Sequence, residues 1–467
     1  MLQVVQAFDR APFAEVPTDD AAAMEAKIKT AVAVFKQRDQ WLPPHQRAGV
    51  LRRAVVLLNE RRQHFAEQIA REGGKPLQDA FVEVSRAIDG LQCAADELRN
   101  FVGREIPMGL TPASVQRWAF STREPIGVVF AISAFNHPLN LIVHQVAPAI
   151  ASGCPVIIKP ATSTPLSCRD LVALVHEAGL PAGWCQTFLP EDVALAEQLA
   201  CDSRVNFLSF IGSAMVGWRL HSKLAHGTRS ALEHGGAAPA IIDRSADLDR
   251  VIEPLVKGGY YHAGQVCVST QRIFVHHKIF EQFTERLVAQ VALLRTGDPL
   301  RKETEVGPLI NPREVDRVVD WIAEAAASGA RVITGGERLS DTTLEPTILV
   351  NPAENSRVSQ QEIFGPVVCV YRYARLDDAI AQANSLSMPF QACIFANDID
   401  VALRACERLD ASAVMINDPT TFRTDWMPFA GRRDAGYGTG GIPYTMRDMT
   451  QEKMVVLHRR SPSAIRT

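Results

Sequence analysis

The sequence predicts an α/β protein with two doubly wound parallel-sheet domains and a small additional β element. Two blocks of the chain alternate short β-branched runs with helical stretches, the first beginning near residue 127 and the second after residue 267. At 467 residues the chain is too long for a single hydrophobic core, and a hydrophobic content of 47% can fill two. An isolated hydrophobic run, KMVVLH at 453–458, predicts one further strand near the C-terminus.

Helices are predicted first, over residues 20–103. Apolar residues recur there at i, i+3 and i+4, as in AAAMEAKIKTAVAVFKQR and HQRAGVLRRAVVLLNERRQHFAEQIAREGG. The pattern ends at Gly73, Gly74 and Pro76, which are typical residues for the end of a helix. This segment therefore forms a helical layer ahead of the first sheet.

Strands and helices then alternate. The strand-like runs of the first block are GVVFAIS, PVIIKPA, WCQTFLP and VNFLSFIGS, and those of the second are QRIFVHH, VVCVYRY, QACIFAND and ASAVMIND. The segment 233–267 lies between the two blocks. Doubly wound sheets bind nucleotides at the carboxyl ends of their strands, so we expect a nucleotide site there.

Charge and cysteine content argue against several classes of function. The formal net charge is −3 with acidic and basic residues interspersed, which favours small-molecule chemistry over binding to nucleic acid or a membrane. The nine cysteines are scattered without paired CxxC motifs, so we expect reduced thiols and no metal site. No basic leader followed by an apolar run occurs, and no stretch of about eighteen apolar residues. We therefore expect a cytoplasmic protein.

Four short motifs carry candidate chemistry, and each has an ordinary structural alternative. FIGSAMVG places Gly212 and Gly217 at a strand-to-helix turn, where backbone N–H groups can bind a pyrophosphate but glycines are also common for geometric reasons. IIKPATSTP ends a buried strand at Lys159, which could reach a ribose or phosphate or be an ordinary strand-end lysine. LEHGG offers Glu233 as a base or as a surface carboxylate in a turn. GQVCVST offers Cys267 as a nucleophile or as a small buried hydrophobic residue.

These stretches belong to a longer ordered set of motifs: SAFNHPLN, IIKPAT, FIGSAMVG, LEHGG, GQVCVST, EIFGPVV and PFAGRRDAGYG. In their order and approximate separations the chain resembles the aldehyde dehydrogenase superfamily, from about residue 25 to its end. The resemblance implies a Rossmann-like cofactor domain, a catalytic domain and a small β oligomerisation element. It also implies NAD(P)-dependent oxidation of an aldehyde to a free acid through a cysteine thiohemiacetal and a thioester.

The resemblance assigns catalytic roles to three residues. Cys267 matches the nucleophile, whose thiolate attacks the aldehyde carbonyl. Asn136, in SAFNHP, matches the asparagine whose amide holds the oxyanion together with the backbone N–H of Cys267. Glu233 matches the base that activates water to hydrolyse the thioester. Members that pass the acyl group to coenzyme A generally lack this glutamate, and a member with only a structural role would not require all three residues.

The cofactor implied by the resemblance is NAD or NADP. Thr162 stands where many NAD-specific members carry a glutamate that binds the adenosine ribose, so NADP should be tolerated. His234 stands where the family usually has leucine, and the sequence assigns it no role. The residues that the resemblance places at the cofactor are Lys159, Thr162, Gly212, Ser213, Gly217, Glu362 and Phe364.

A narrower resemblance concerns the substrate. EVSRAIDGL, FNHPLN and INDPTTFRTDWMPF look like the branch that includes phosphonoacetaldehyde dehydrogenase and non-phosphorylating glyceraldehyde-3-phosphate dehydrogenase. In that branch arginines matching Arg86 and Arg423 hold the anionic end of the substrate, and a histidine matching His137 follows the oxyanion asparagine. Arg86 could instead be a surface or ion-pair arginine, and His137 only a wall of the pocket.

The substrate that this resemblance favours is phosphonoacetaldehyde. Val266 stands where the charged-substrate enzymes can carry a further arginine, which weakens the case for a dianion and leaves room for a carboxylate, sulfonate or hydroxyaldehyde. The alternative is therefore a generic aldehyde, lactaldehyde or semialdehyde dehydrogenase without an anion-specific pocket.

Domain limits follow from the positions of the motifs. We predict an NAD(P)-binding domain over 1–110 and 125–233, a catalytic domain over 234–443, and an oligomerisation element formed by 111–124 and 444–467. The hydrophobic run KMVVLH predicts pairing outside its own domain, so a homodimer or homotetramer is expected.

Overall fold

The computed structural model describes residues 1–459, and its first part is a β-hairpin followed by a helical layer. The elements of this part are β1 (Leu2–Val5), β2 (Pro12–Val16), α1 (Ala21–Lys36), α2 (Pro44–Glu60), α3 (Arg62–Gly73), α4 (Leu77–Glu97), β3 (Glu105–Ile106) and β4 (Arg117–Pro125). The predicted helical layer is present, and α4 packs against both α2 and α3. The sequence pattern does not reveal the hairpin, because β1 and β2 are only four and five residues long.

The first alternating block folds into a sheet with an apolar core on each face. Its elements are β5 (Val129–Ile132), α5 (Asn140–Ser152), β6 (Val156–Lys159), α6 (Leu166–Glu177), β7 (Cys185–Thr187), α7 (Val193–Ala200), β8 (Phe207–Ile211), α8 (Ala214–His221) and β9 (Arg229–Glu233). These strands pair in parallel in the order β9-β8-β5-β6-β7. Side chains alternate along β5, so that Val129 and Phe130 enter different cores.

The second block folds into a seven-stranded sheet. Its elements are β10 (Ala238–Ile242), α9 (Leu248–Tyr260), β11 (Thr270–His276), α10 (Phe280–Val291), α11 (Pro312–Ala327), β12 (Arg331–Thr334), β13 (Thr347–Val350), α12 (Arg357–Gln360), β14 (Val367–Tyr373), α13 (Leu376–Ala383), β15 (Gln391–Phe395), α14 (Ile399–Arg408) and β16 (Ala413–Ile416). The strand order is β12-β13-β14-β11-β10-β15-β16, and every pair is parallel except β12 with β13.

The last elements return to the earlier parts of the chain. They are β17 (Gly436–Tyr437), α15 (Ile442–Asp448) and β18 (Thr450–His458). Strand β17 pairs antiparallel with β9 at the edge of the first sheet, although it lies within the range predicted for the catalytic domain. Strand β18, which contains KMVVLH, pairs along its whole length with β4.

The small antiparallel sheet has the order β18-β4-β3. It therefore includes β3, which lies outside the predicted 111–124 segment, while residues 460–467 of the predicted element lie outside the described residues. The predicted fold class is confirmed, with the correction that each large sheet is mixed, because each carries one antiparallel edge strand. Of the helices in residues 1–459, none combines the length and the apolar character needed to cross a bilayer.

Candidate active site

The predicted catalytic residues lie at strand ends and in the loops that join strands to helices. Glu233 is the last residue of β9, Asn136 lies between β5 and α5, and Cys267 lies just before β11. Glu233, Glu362 and Arg423 are all close enough to Cys267 to act on the pKa of its thiol. The fold thus brings the predicted nucleophile and the predicted base together from different segments of the chain.

Cys267 is one of four half-buried cysteines, together with Cys93, Cys201 and Cys406. Cys154 and Cys369, by contrast, are fully buried in the apolar cores of the two sheets. Burial raises the pKa of the Cys267 thiol to about 12, an effect that Arg423 opposes and that the carboxyl groups of Glu362 and Glu233 reinforce. Cys267 is therefore a neutral thiol in this structure, and its proton must leave before the sulfur can attack.

The loop before Cys267 has an unusual backbone. His262, Ala263 and Gly264 have φ values of 49°, 53° and 70°, so three consecutive residues adopt the left-handed region. Two of the three are not glycine, and such residues occupy this region only when surrounding contacts hold them there. Gly264 itself has no room for a side chain, since a Cβ would lie 2.1 Å from the carbonyl oxygen of Gly365.

Gln265 provides the contacts that hold this loop. Its Nε2 donates to the carbonyl oxygens of His262 and Pro308 at 3.2 and 3.1 Å, and its Oε1 accepts from the N–H of Ile310 at 3.0 Å. The carbonyl of Gln265 in turn accepts a hydrogen bond from Nδ2 of Asn136 at 2.9 Å. One N–H of the Asn136 amide is therefore committed to the loop, and its second N–H remains for an oxyanion.

Glu233 lies in a confined position. A small cavity is lined by Glu233, His144 and Gly440, and a Cβ on Gly440 would lie 2.0 Å from Oε1 of Glu233. Burial raises the pKa of the Glu233 carboxyl, and Arg423 opposes that shift. A carboxyl with a raised pKa suits a group that must both accept and release a proton near neutral pH.

The two predicted substrate arginines meet different partners. Arg86 forms an ion pair with Asp425, with Nη2 at 2.7 Å from Oδ1 and Nε at 3.3 Å from Oδ2. The Asp425 side chain is 4% exposed and also accepts from Nδ2 of Asn140 at 3.1 Å. The positive charge of Arg86 is therefore already matched by a carboxylate.

Arg423 is connected to the same carboxylate through His144. Nη2 of Arg423 donates to Nδ1 of His144 at 3.3 Å, and Nε2 of His144 donates to Oδ1 of Asp425 at 2.7 Å. Burial lowers the pKa of His144 to about 4, so the imidazole is neutral and its proton is on Nε2. The guanidinium stacks on Phe429, with its Cζ 3.4 Å from the ring centroid, and its buried Nε has no partner among the described residues.

His137 lies beside the nucleophile loop. Its ring is 6.1 Å from that of Tyr261 and 6.3 Å from that of His262. Burial, together with the positive charge of Lys75, lowers the pKa of His137 well below its usual value. His137 is therefore a neutral imidazole in a buried aromatic environment.

The predicted adenosine contacts lie at the carboxyl end of β6. Lys159 is the last residue of that strand, its Nζ donates to the carbonyl oxygen of Pro160 at 3.1 Å, and burial lowers its pKa. Thr162 is exposed in the following loop, without a carboxylate beside it in that loop. These residues fit a ribose or phosphate group, because a lysine with only one carbonyl partner retains N–H donors.

Glu362 has a free carboxyl oxygen that could accept a hydrogen bond from a bound cofactor. Its Oε1 is buried without a partner among the described residues, and a Cβ on Gly235 would lie 1.9 Å from that oxygen. Burial raises the pKa of Glu362 to about 8, while the N–H of Gly236 acts in the opposite direction. Phe364 has φ 49° and packs edge-on against Phe135 at 5.8 Å. A buried, unpartnered carboxyl oxygen of this kind suits the hydroxyl groups of a ribose.

The predicted pyrophosphate turn joins β8 to α8. Ser213 is the N-terminal cap of α8, so the N–H groups of the first helical turn have no partners within the helix. Gly212 and Ser213 thus lie where an anion would be expected to bind. Gly217 lies elsewhere, one turn into the helix and against His234, where a Cβ would be 2.0 Å from Cε1 of the imidazole.

Sequence patterns do not identify Asp425, His144 or Gln265. Asp425 lies within the motif INDPTTFRTDWMPF, two residues after Arg423. An acidic residue so close to a predicted substrate arginine could have been recognised from the sequence as a possible partner for a positive charge. His144 and Gln265 act through contacts with distant segments, and a single sequence gives no sign of those contacts.

Two mixed α/β sheets, a strand-to-helix turn that suits a pyrophosphate and a cysteine within electrostatic range of a carboxyl group are the features expected of a nucleotide-dependent oxidoreductase. The model of the aldehyde dehydrogenase family matches residues 1–455. The chain belongs to the aldehyde dehydrogenase family, and it is an NAD(P)-dependent aldehyde dehydrogenase.

Three similar proteins extend the comparison. The 3-sulfolactaldehyde dehydrogenase of Priestia aryabhattai is 35% identical over 458 residues, which cover 98% of this chain and 95% of that protein. The crystal structure of aldehyde dehydrogenase 21 from Physcomitrella patens, in complex with the reaction product succinate, has a TM-score of 0.95 at 34% identity and covers 99% of this chain and 95% of the other. The glyceraldehyde-3-phosphate dehydrogenase GapN from Methanocaldococcus jannaschii, complexed with NADP, has a TM-score of 0.93 at 32% identity, with 98% and 99% coverage.

Proposed function

We propose that the protein oxidises a short aldehyde whose far end is polar and carries at most one negative charge, such as a semialdehyde, sulfolactaldehyde or lactaldehyde. The observation that carries this proposal is the ion pair between Arg86 and Asp425. Arg86 is paired with Asp425 and His144 is neutral, whereas Arg423 forms no hydrogen bond or ion pair with a carboxylate among the described residues. A single guanidinium matches a carboxylate or sulfonate better than a dianion.

Two of the three similar proteins support the same substrate class, whereas the third is a glyceraldehyde-3-phosphate dehydrogenase. One is a 3-sulfolactaldehyde dehydrogenase and another is complexed with its reaction product succinate, and these small molecules carry a sulfonate or carboxylate group. Phosphonoacetaldehyde, which the sequence motifs favour, is named for none of the three. The pairing of Arg86 with Asp425 gives a physical reason to place it second, because a dianion would have to compete with a carboxylate already bound to that arginine.

Acylation requires the Cys267 thiol to pass its proton to solvent, so that the thiolate can attack the aldehyde carbon. The nearby guanidinium of Arg423 favours the thiolate, and the free N–H of Asn136 with the backbone N–H of Cys267 can hold the resulting oxyanion. Lys159, Glu362 and the Gly212–Ser213 turn would hold NAD(P)⁺, which would supply the hydride acceptor needed to oxidise the thiohemiacetal carbon. The carbon is thereby oxidised and a thioester on Cys267 remains.

Hydrolysis of the thioester is the step assigned to Glu233. Its carboxylate takes a proton from water while the water oxygen attacks the acyl carbon, and Cys267 leaves as the thiolate. The products are the free carboxylic acid and the regenerated nucleophile. The presence of Glu233 beside Cys267 also supports release of a free acid over transfer to coenzyme A.

For the cofactor we propose that NADP is used alongside NAD. The exposed Thr162 offers no carboxylate to repel a 2′-phosphate, and GapN is described as complexed with NADP. Values of kcat/KM for both cofactors test this. A strong NAD preference that no substitution at Thr162 relaxes would contradict it.

The substrate proposal is tested by kcat/KM for succinate semialdehyde, sulfolactaldehyde, lactaldehyde, propanal, phosphonoacetaldehyde and glyceraldehyde 3-phosphate. We expect the first three to exceed both propanal and the two phosphorus-containing aldehydes. If phosphonoacetaldehyde or glyceraldehyde 3-phosphate is best, Arg86 acts as a second anchor and the proposal is wrong. If propanal is best, the site has no preference for a polar end.

A further inference from the structure

His234, for which the sequence suggested no role, contacts the nucleotide turn directly. Its Nδ1 lies 3.0 Å from the carbonyl oxygen of Gly212, and the N–H of Gly212 donates to the carbonyl oxygen of Glu233 at 3.0 Å. The two neighbouring residues 233 and 234 therefore hold both polar backbone groups of Gly212. The turn predicted to bind pyrophosphate is thus joined by one hydrogen bond to the predicted base, Glu233, and by another to His234, the residue that follows it.

The state of the imidazole follows from this contact. A carbonyl oxygen can only accept, so the proton is on Nδ1 and Nε2 carries a lone pair. Nε2 is buried without a partner among residues 1–459, and the residue is 2% exposed. A buried acceptor without a partner is costly, so the ring is not explained by stability alone.

The side chains packed around His234 hold its imidazole ring in a single orientation. Its centroid is 5.7 Å from that of Phe210 and 5.8 Å from that of Trp218, and Gly217 leaves just enough space for Cε1. The backbone N–H of His234 donates to the carbonyl oxygen of Ala435 at 3.0 Å. Side chain and backbone are therefore both fixed, and Nδ1 is directed at Gly212.

The hydrogen bond from His234 to the carbonyl oxygen of Gly212 also determines where the N–H of Ser213 points. No cis peptide occurs in the described chain, and in a trans peptide the C=O of one residue and the N–H of the next point in opposite directions. Because the C=O of Gly212 is held toward His234, the N–H of Ser213 points away from it. That N–H stands next to the unpartnered N–H groups at the start of α8.

We propose that His234 is a positioning residue that orients the Gly212–Ser213 peptide for cofactor binding and fixes it relative to Glu233. The inference rests on the proposed assignment of this turn to the pyrophosphate. The leucine that is usual here in the family can fill the same space but has no N–H to donate. This chain therefore adds a side-chain hydrogen bond to a turn that others hold without one.

The test compares His234→Leu with His234→Asn, whose Nδ2 can replace the donor at Nδ1. We expect His234→Leu to raise the Kd for NADPH and NADH, measured by fluorescence on the cofactor-free enzyme, about three- to tenfold, as for loss of one hydrogen bond. His234→Asn should stay within about twofold of the wild type. The KM for the aldehyde should not change.

Thermal unfolding separates this role from a merely structural one. His234→Leu removes the buried Nε2, an acceptor without a donor, but leaves the carbonyl oxygen of Gly212 without its donor. The number of buried acceptors that lack a hydrogen bond is therefore unchanged, and Tm should change little. His221→Leu is the matched control, since His221 packs on the same Trp218 at 5.6 Å and bonds to Ser230 at 2.9 Å. We expect wild-type cofactor affinity in that variant.

Three outcomes would overturn the inference: His234→Leu binds the cofactors like the wild type, His234→Asn is as weak as His234→Leu, or His221→Leu is equally weak. Ser213→Pro separates this failure from failure of the turn assignment. Ser213 has φ −65°, which proline adopts, so the substitution removes the N–H with little backbone change. If Ser213→Pro binds the cofactor normally, the turn assignment itself is wrong.

Discussion

At the scale of single residues, the charge of the proposed substrate pocket depends on which of its two arginines is paired with a carboxylate. Arg423 donates to a neutral histidine and stacks on Phe429, whereas Arg86 is bound to Asp425. Arg423 is therefore the residue that should distinguish an anionic aldehyde from a neutral one.

We predict that Arg423→Ala lowers kcat/KM for succinate semialdehyde about tenfold or more, as for loss of a charge-assisted hydrogen bond. Propanal is the internal control and should lose much less. Equal losses for the two aldehydes would show that Arg423 serves the fold or the nucleophile and does not bind the substrate.

The buried carboxyl of Glu233 predicts a pH dependence. Burial raises its pKa, so it becomes protonated, and inactive as a base, at a higher pH than an ordinary glutamate. We expect kcat for acid release to fall as the pH is lowered, beginning above the usual range of a carboxyl group. A kcat that is constant down to about pH 5, where an ordinary glutamate remains ionised, would contradict this assignment.

The residues of the site differ in how far sequence could predict them. Cys267, Asn136 and Glu233 lie in short motifs with a recognisable order, and Glu233 is close enough to Cys267 to influence the pKa of its thiol. Asp425 neutralises the charge of Arg86, and His144 links Arg423 to the same carboxylate. Both effects depend on contacts between α4, α5 and the loop after β16. Such contacts exist only in the folded chain, so the charge of the pocket could not be read from the motifs.

At the scale of elements, α5 depends on a buried glutamate. Glu83 of α4 accepts from the N–H groups of Leu139 and Asn140, at 2.9 and 3.1 Å, and forms a fully buried ion pair with Lys75. Helix α5 in turn carries His144 and begins just after Asn136. The ion pair therefore supports the position of the oxyanion residue and the arginine network.

We predict that Glu83→Ala destabilises the protein by about 3–5 kcal/mol, because it leaves Lys75 as an unpaired buried charge. The double variant Lys75→Met with Glu83→Gln is the control, since it removes both charges and keeps a carbonyl acceptor for the helix. Denaturant unfolding should show the double variant to be more stable than Glu83→Ala. The reverse order would mean that the ion pair matters less than the packing.

Element prediction succeeded where the pattern is long and failed where it is short. The helices of the first layer and the strands β5–β8, β11 and β14–β16 lie in runs that the sequence predicts, whereas β13 lies in no such run. The β1–β2 hairpin and the two-residue strand β17 are too short to produce a pattern. The antiparallel pairing of β12 with β13, and of β17 with β9, is also not encoded locally, because it depends on how the chain returns to a sheet edge.

At the scale of the whole molecule, the small sheet is the candidate for assembly. Within residues 1–459, β18 is an edge strand, and its side chains Met454, Val456 and Leu457 are 58%, 44% and 45% exposed. An edge strand with exposed apolar side chains favours pairing with a second chain. This supports the proposal of a homodimer or homotetramer.

We predict that Met454→Lys combined with Val456→Lys shifts the assembly toward monomer in sedimentation at micromolar concentration. Leu293→Lys, at an exposed apolar residue outside this sheet, is the control and should have no effect. A wild-type protein that sediments only as monomer would exclude the proposal.

The central claim is that Cys267 carries the acyl group and Glu233 releases it. The most direct measurement is rapid mixing of Glu233→Gln with aldehyde and NAD(P)⁺, followed by mass spectrometry of the protein. We predict a burst of a single equivalent of reduced cofactor per subunit, an acyl adduct on Cys267 and then a stalled reaction, with no burst in Cys267→Ala. Full steady-state turnover by Glu233→Gln, or a burst in Cys267→Ala, would contradict the account.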